Sequence, residues 1–343
     1  MIRTTGSRKV ALLAVAAVTA LSVAACGDDA GSGAGGNGDG EIAAVIKGLD
    51  NPFFQGMEDG IDAAATAGDV KVDVQAAADI TDTTGQLDKL TQAATKDLGC
   101  AIVNPIDGTN LITGLAQLAA KDVPIVNIDS PVDADAAAEV KATPTTYIGT
   151  DNTEAGQMAG EHMLELLPDG GDVALIGGIA GDVTSNARLD GFTAGVGDGV
   201  TITQTVAANW NREEALNQAT TLLRADTDLA GFFVANDDMA LGVARAVSDV
   251  GREGQVKIIS VDGVADGLNG VKDGQISAVV AQYPYAIGEM GVNACRAAMA
   301  GDDIPDNVTA PIALVTPENV DDALAAAPAP FQEYTDPFAD LVK

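Results

Sequence analysis

A two-lobed α/β fold, each lobe a doubly wound parallel sheet, is what this sequence predicts, and three observations carry the prediction. From Glu41 onward, short apolar runs alternate with longer stretches of three- and four-residue periodicity, the pattern of βαβ units whose sheet is covered on both faces. The alternation breaks at Pro144 and then restarts. A length of 343 residues suits two domains rather than one, and 47% apolar content gives each a core.

Each element has its own signal. Residues 42–46 form a continuous apolar run, followed by a helix in which Phe53, Met57, Ile61 and Ala64 share one face. Strands at 70–74, 101–103 and 125–128 alternate with helices at 83–96 and 109–121. After Pro144 come strands at 147–149, 173–176, 202–206, 231–234, 258–261 and 276–280, separated by helices at 153–167, 183–197, 212–224, 237–250 and 264–273. Helix starts carry cap chemistry: Asn51 ahead of Pro52, Asp151 with Glu154 three residues on, Asn211 with Glu214 three residues on.

Composition removes whole classes of function. Lys and Arg number 18 against 50 Asp and Glu, and the formal charge of −32 repels a nucleic-acid backbone. One histidine and three cysteines occur without any CxxC, HExxH or clustered spacing, so neither a metal centre nor a cofactor is expected. His162, beside Glu161 and Glu165 in mid-helix, reads as a solvated face residue. Cys100 and Cys295 both lie in apolar runs and read either as a disulfide or as two small buried thiols.

Arg3, Arg8 and Lys9 precede an apolar run at 10–25. This run is shorter than the ~20 residues of a comfortable membrane span and ends in small side chains, which reads as an export signal. Residues 27–40, GDDAGSGAGGNGDG, read as a flexible tether with an r.m.s. reach on the order of 20 Å. The GxGxxG at 33–38 has no strand before it and no helix after it, so it carries no phosphate-binding expectation.

Open α/β sheets bind ligands beyond the carboxyl ends of their strands. The junctions there hold Asn51, Phe53 and Phe54, Asn104, Asp129 and Ser130, Arg188, Trp210, Asn236, Asp262 and Gln282. Amides, carboxylates and one guanidinium supply paired donors and acceptors to hydroxyls, while flat aromatic faces cover the C–H side of a sugar ring. A buried hydroxyl left without a partner costs ~1–3 kcal/mol, so a closed site of this kind discriminates sharply. Plainer roles exist for the same residues. Asn51, Asp151 and Asn236 serve as helix caps, Trp210 as a hydrophobic staple, Arg188 as a surface ion-pair partner, and Asp129 and Asp262 as turn residues.

Five segments in order carry a resemblance: Asp50-Asn51-Pro52-Phe53-Phe54, Asn104-Pro105, Gly178-Ile179-Ala180-Gly181, Asn236-Asp237-Asp238-Met239-Ala240-Leu241-Gly242 and Val261-Asp262-Gly263. Over roughly residues 41 to 315 they resemble the periplasmic sugar-binding proteins of ABC importers, in the ribose-binding branch. The resemblance implies two Rossmann-like doubly wound lobes joined by a three-strand hinge, the type I periplasmic-binding-protein fold. It assigns Asn51, Phe53 and Phe54 to the first-lobe wall, Trp210 to a second stacking position, and Asn104, Asp129, Arg188, Asn236, Asp262 and Gln282 to sugar hydroxyls. Ser130 stands where the ribose receptors carry an arginine and Val261 where they carry a phenylalanine. Fewer donors and less aromatic cover leave the ligand open among pentoses, hexoses and cyclitols. Leu21-Ser22-Val23-Ala24-Ala25-Cys26 likewise resembles the lipobox of bacterial lipoproteins, with Cys26 as the lipidated residue.

The implied organisation is a signal peptide at 1–25, the lipidated cysteine and tether at 26–40, an N-terminal lobe of 41–146 plus 283–302, a C-terminal lobe of 147–282 plus 303–330, and a tail at 331–343. Hinge crossings fall near 144–147, 282–283 and 301–311, and the helix from Pro284 to Ala300 packs on the lobe that holds Cys100, which brings Cys100 and Cys295 near each other. The implied function is a monomeric, non-enzymatic solute-binding lipoprotein, exported and held by its lipid on the outer face of the cytoplasmic membrane. It would close on a monosaccharide or polyol and deliver it to a membrane permease. The ATPase is a separate chain, since no GxxxxGK[ST] occurs. A sugar-sensing co-receptor for a chemoreceptor or sensor kinase is the alternative. A glycan hydrolase is disfavoured because neutral hydrogen-bonding groups surround Asp129 and Asp262. The sugar-responsive repressors of this fold carry a helix-turn-helix where this chain has its signal and tether.

Overall fold

The structure, a computed structural model, describes residues 40–342. The export signal, Cys26 and nearly all of the tether lie outside the described residues. The first part of the chain runs β1 (Glu41–Ile46), α1 (Pro52–Gly68), β2 (Val72–Ala76), α2 (Thr83–Ala93), β3 (Leu98–Val103), α3 (Ile112–Ala119), β4 (Ile125–Ile128), α4 (Ala134–Glu139) and β5 (Thr146–Gly149). It continues through α5 (Asn152–Leu166), β6 (Asp172–Gly177), α6 (Val183–Val196), β7 (Thr201–Ala207), α7 (Arg212–Ala225), β8 (Gly231–Val234), α8 (Asp237–Asp249), β9 (Lys257–Asp262), α9 (Ala265–Lys272) and β10 (Ala278–Gln282). It ends with α10 (Pro284–Ala300), β11 (Asn307–Thr309), β12 (Ile312–Val315) and α11 (Val320–Ala326).

These strands build two six-stranded sheets, ordered β11-β5-β4-β3-β1-β2 and β12-β10-β9-β8-β6-β7. All pairings are parallel except β10 with β12. Central strands such as β1 and β3 are buried almost throughout because helices cover both faces. Part of the acidic surplus is spent on helix starts: Asp82, Asp133, Asp151 and Asp182 each accept a main-chain N–H of the first turn, as Asn51, Asn211 and Asn236 do.

The lobe boundary differs from the expected one. Residues 147–149, expected to open the second lobe, form β5, which pairs with β4 on one side and β11 on the other, both in the first sheet. The first lobe therefore runs to Gly149, and its returning segment runs from Pro284 through Thr309 rather than stopping at 302. The chain passes between lobes at 150–151, at 283 and at 310–311.

Within the first lobe, α10 packs on α1, β3 and β4. The helix α1 approaches so closely that a Cβ on Gly60 would sit 2.0 Å from the Tyr285 carbonyl oxygen, which only glycine avoids. Cys100 of β3 and Cys295 of α10 are joined by a disulfide, with Cα atoms 5.6 Å apart. Residues 334–342 do not hang free: they return from the second lobe to lie against α10, with Phe338 fully buried.

Candidate functional site

The carboxyl edges of the two sheets face each other across a cleft, and side chains from both line one cavity. On the first lobe, Asn51 accepts the Phe53 N–H at 2.9 Å and Pro52 opens α1. This cap sets the helix start so that Phe53 and Phe54 come forward edge to face, ring centroids 5.2 Å apart. Asp129 follows β4 with a φ of 60°, held there by its N–H to the Ile148 carbonyl at 2.8 Å and by the Tyr147 hydroxyl donating to its carbonyl at 2.6 Å.

Lys47, the first residue beyond β1, completes this half. Its Nζ donates to Ser130 Oγ at 2.6 Å, lies 3.8 Å from Asp129 Oδ2 and sits 5.4 Å from the Phe54 ring centroid. A cation from the end of β1 thus sits against the Ser130 side chain. Scanning the carboxyl edges from Asp50 passes over it; the signal available is a charge directly ending the apolar run 42–46.

The second lobe contributes a denser arrangement. Arg188, 4% exposed, donates from Nε to Asn152 Oδ1 at 2.8 Å and from Nη1 to the Ala235 carbonyl at 2.6 Å and to Asp262 Oδ1 at 3.2 Å. It is therefore not a surface ion-pair partner. Gln282 Nε2 donates to the same Asp262 oxygen at 3.0 Å. Asn236 caps α8 by accepting the Met239 N–H at 3.0 Å and also faces the cavity, so capping and lining coexist. Trp210 lies 5.8 Å from the Arg188 guanidinium. It is carried by two consecutive left-handed residues, Asn209 and Trp210, with φ of 50° and 59°. Its ring lies so close to Gly178 that any side chain there would collide.

Asp262 adopts a φ of 136°, a region costly for any residue with a Cβ. The fully buried Asp237 pays for it: its carboxylate accepts Ser260 Oγ at 2.6 Å and the N–H groups of Gly263 and Val264 at 2.8 and 3.0 Å. Burial raises the Asp262 carboxyl to about 7, with Arg188 opposing and Asp129 across the cleft reinforcing the rise. Burial and the neighbouring Asp262 push Asp237 up as well.

Nine of the expected residues line this cavity: Asn51, Phe53, Phe54, Asp129, Ser130, Arg188, Trp210, Asn236 and Asp262. Gln282 acts behind them through Asp262. Asn104 does not line it. Fully buried, Asn104 directs its Nδ2 to the Met57 sulfur at 3.5 Å and its main-chain carbonyl accepts Gln86 Nε2 at 2.8 Å, while its Oδ1 has no partner among the described residues. Val261 is also fully buried, in the core cluster with Phe192 and Phe233. A valine there removes no aromatic cover from the cavity. Besides Lys47, residues not anticipated are Ile80, Ile106, Ile179, Asp182 and Thr184. Among the described residues no cluster of His, Cys, Asp and Glu could hold a metal.

Two sheets meeting at their carboxyl edges, with a bonded cleft between them, define a two-lobed solute receptor of the type I fold. Residues 42–303 match the periplasmic binding protein domain, and the chain belongs to that family, in the ribose-binding-like branch that its motifs resemble. It is 32% identical over 255 residues to the D-allose-binding periplasmic protein of Escherichia coli K12, covering 74% of this chain and 82% of that one. The ribose import binding protein of Bacillus subtilis 168 is 29% identical, with 80% and 87% covered. An ABC transporter periplasmic solute binding protein from Actinobacillus succinogenes 130z, solved with D-allose, superposes with a TM-score of 0.78 at 27% identity, covering 82% of this chain and 99% of that one.

Proposed function

We propose that this protein is the solute-binding lipoprotein of an ABC importer, which captures a monosaccharide or related polyol by hinge closure and hands it to a membrane permease. The observation that carries the reading is the convergence of Lys47, Asp129, Arg188, Asn236 and Asp262 on one cavity walled by Phe53, Phe54 and Trp210. Charged and amide groups of fixed orientation partner hydroxyls, and the rings cover the C–H face. The relatives' ligands, D-allose and ribose, are neutral polyols of that kind. The D-allose-binding relative has the higher identity, 32% against 29% for the ribose-binding one, so an aldohexose such as D-allose is ranked ahead of ribose in this reading.

Each lobe holds half of the partners, so a ligand gains full affinity only when both close on it, and that difference drives the closed state. In this reading Cys26 carries the lipid, the protein works as an exported monomer on the outer face of the cytoplasmic membrane, and a separate ATPase powers the permease. No reaction is catalysed and no cofactor is needed.

A thermal-shift panel of pentoses, hexoses, 6-deoxyhexoses, cyclitols and sugar alcohols at millimolar concentration tests this. A micromolar ligand at that excess adds ~4 kcal/mol to the folded state and raises the midpoint by several degrees. A shift confined to one narrow group, with D-allose above D-ribose, is the expected result. A flat panel repeated on protein refolded free of any co-purified sugar defeats the reading.

A further inference from the structure

We propose that residues 327–342 form a strap across the hinge that bounds how far the two lobes open, an inference that takes hinge closure as its premise. The helix α11 rests on α9 of the second lobe. The chain leaves it at Ala327 and is anchored on α10 of the first lobe. There the Tyr334 hydroxyl donates to Glu289 Oε2 at 3.1 Å, Asn293 Nδ2 donates to Asp336 Oδ2 at 2.8 Å, and Arg296 Nη2 donates to the Val342 carbonyl at 2.9 Å. Phe338 is fully buried in the hydrophobic core beside them. The strap lies beyond residue 303, where the family match ends.

This is a fourth passage between the lobes, and it differs from the other three in position. Pro328, Ala329 and Phe331 cover a cavity of about 340 Å³. One wall is the start of α1, with Pro52 and Asp59; the other is the 263–265 loop with Leu268; the hinge passage at Gln282 and Tyr283 lies between them. Opening the cleft draws the start of α1 away from the 263–265 loop. A cover fixed to both sides must then stretch or detach. Seven residues, 327–333, link the end of α11 to Tyr334, and fully extended they reach at most ~25 Å. The gap on this flank therefore has a ceiling while both anchors hold. Lifting Phe331 from the cavity or Phe338 from the core exposes apolar surface, so the strap also biases the lobes toward the closed arrangement.

The test compares three forms by small-angle X-ray scattering: the full chain, a form ending at Ala326, and folded protein cut at a single protease site introduced between 328 and 333. The cut form keeps residues 334–342 seated and severs only the link, so it serves even if the truncated form does not fold. Without sugar, the severed forms should show a larger radius of gyration than the intact chain, and all should converge with saturating D-allose. Release of radiolabelled D-allose into excess unlabelled sugar should be roughly tenfold faster once the link is cut. Equal sugar-free radii for intact and cut protein overturn the strap. A radius that no sugar of the panel changes in any form overturns the hinge-closing premise, and the strap with it.

Discussion

The two halves of the cleft are built by different means. On the first lobe, Lys47, Phe53, Phe54 and Asp129 stand on caps and tight turns at the rim of their sheet, with Lys47 lying 3.8 Å from Asp129 Oδ2 and 5.4 Å from the Phe54 ring centroid. On the second, Arg188 ties α5, β8 and β9 together, Asp262 sits in a costly backbone conformation, and the interior carboxylate of Asp237 holds that conformation in place. In the second lobe one buried hydrogen-bond network serves recognition and folding together; in the first, the polar groups depend on fewer bonds. The first lobe has its own staple, the Cys100–Cys295 bond, neither end of which lines the cavity.

Arg188→Ala breaks the comparison hardest. Removing one partner of a buried ion pair costs about 3–5 kcal/mol, so this variant should lose several degrees of Tm in the ligand-free state as well as all sugar binding by calorimetry. Retained stability with binding alone lost would erase the distinction between the lobes. Next comes the disulfide: Cys100→Ala with Cys295→Ala should cost about 2–4 kcal/mol in denaturant unfolding while leaving sugar affinity within roughly twofold.

Lys47→Met gives the complementary result. Losing a charge-assisted hydrogen bond to the sugar is worth about 1.5–3 kcal/mol, read here as a ten- to hundredfold weaker Kd by titration, with a smaller loss of ligand-free Tm than Arg188→Ala gives. A further effect is on pH. Because the Asp262 carboxyl is raised to about 7 in the folded protein from 3.8, its contribution to stability is complete below pH 4 and is lost as pH rises through 7. The ligand-free Tm should fall between about pH 4 and 7, and Asp262→Asn should make that slope shallower, leaving the part that the raised Asp237 contributes.

The fold was largely legible because strand and helix periods alternate cleanly from Glu41 to Gln282 and the caps mark most junctions. What escaped notice was short or non-local. A run such as 147–149 looks the same whichever lobe it enters, and only pairing with β11, some 160 residues later, decides it. Strands of three or four residues, β11 and β12, carry too little periodicity to announce themselves. In the site, the carboxyl-edge rule found the residues of both rims, yet it could not tell Asn104, turned into the core, from Asn236, turned toward the cavity. Lys47 was hidden for a related reason: its value comes from Ser130, 83 residues away.

Trp210 is the chain's only tryptophan, and it forms part of the cavity wall, near the Arg188 guanidinium and against the backbone of Gly178. Every photon of indole emission therefore originates from one place in the molecule. Ligand entry replaces water at that ring with carbon and hydroxyl groups, so intensity and wavelength report occupancy without any attached dye. Such a receptor is already an optical sensor for its own solute, and its colour shift can be calibrated before the solute has been identified.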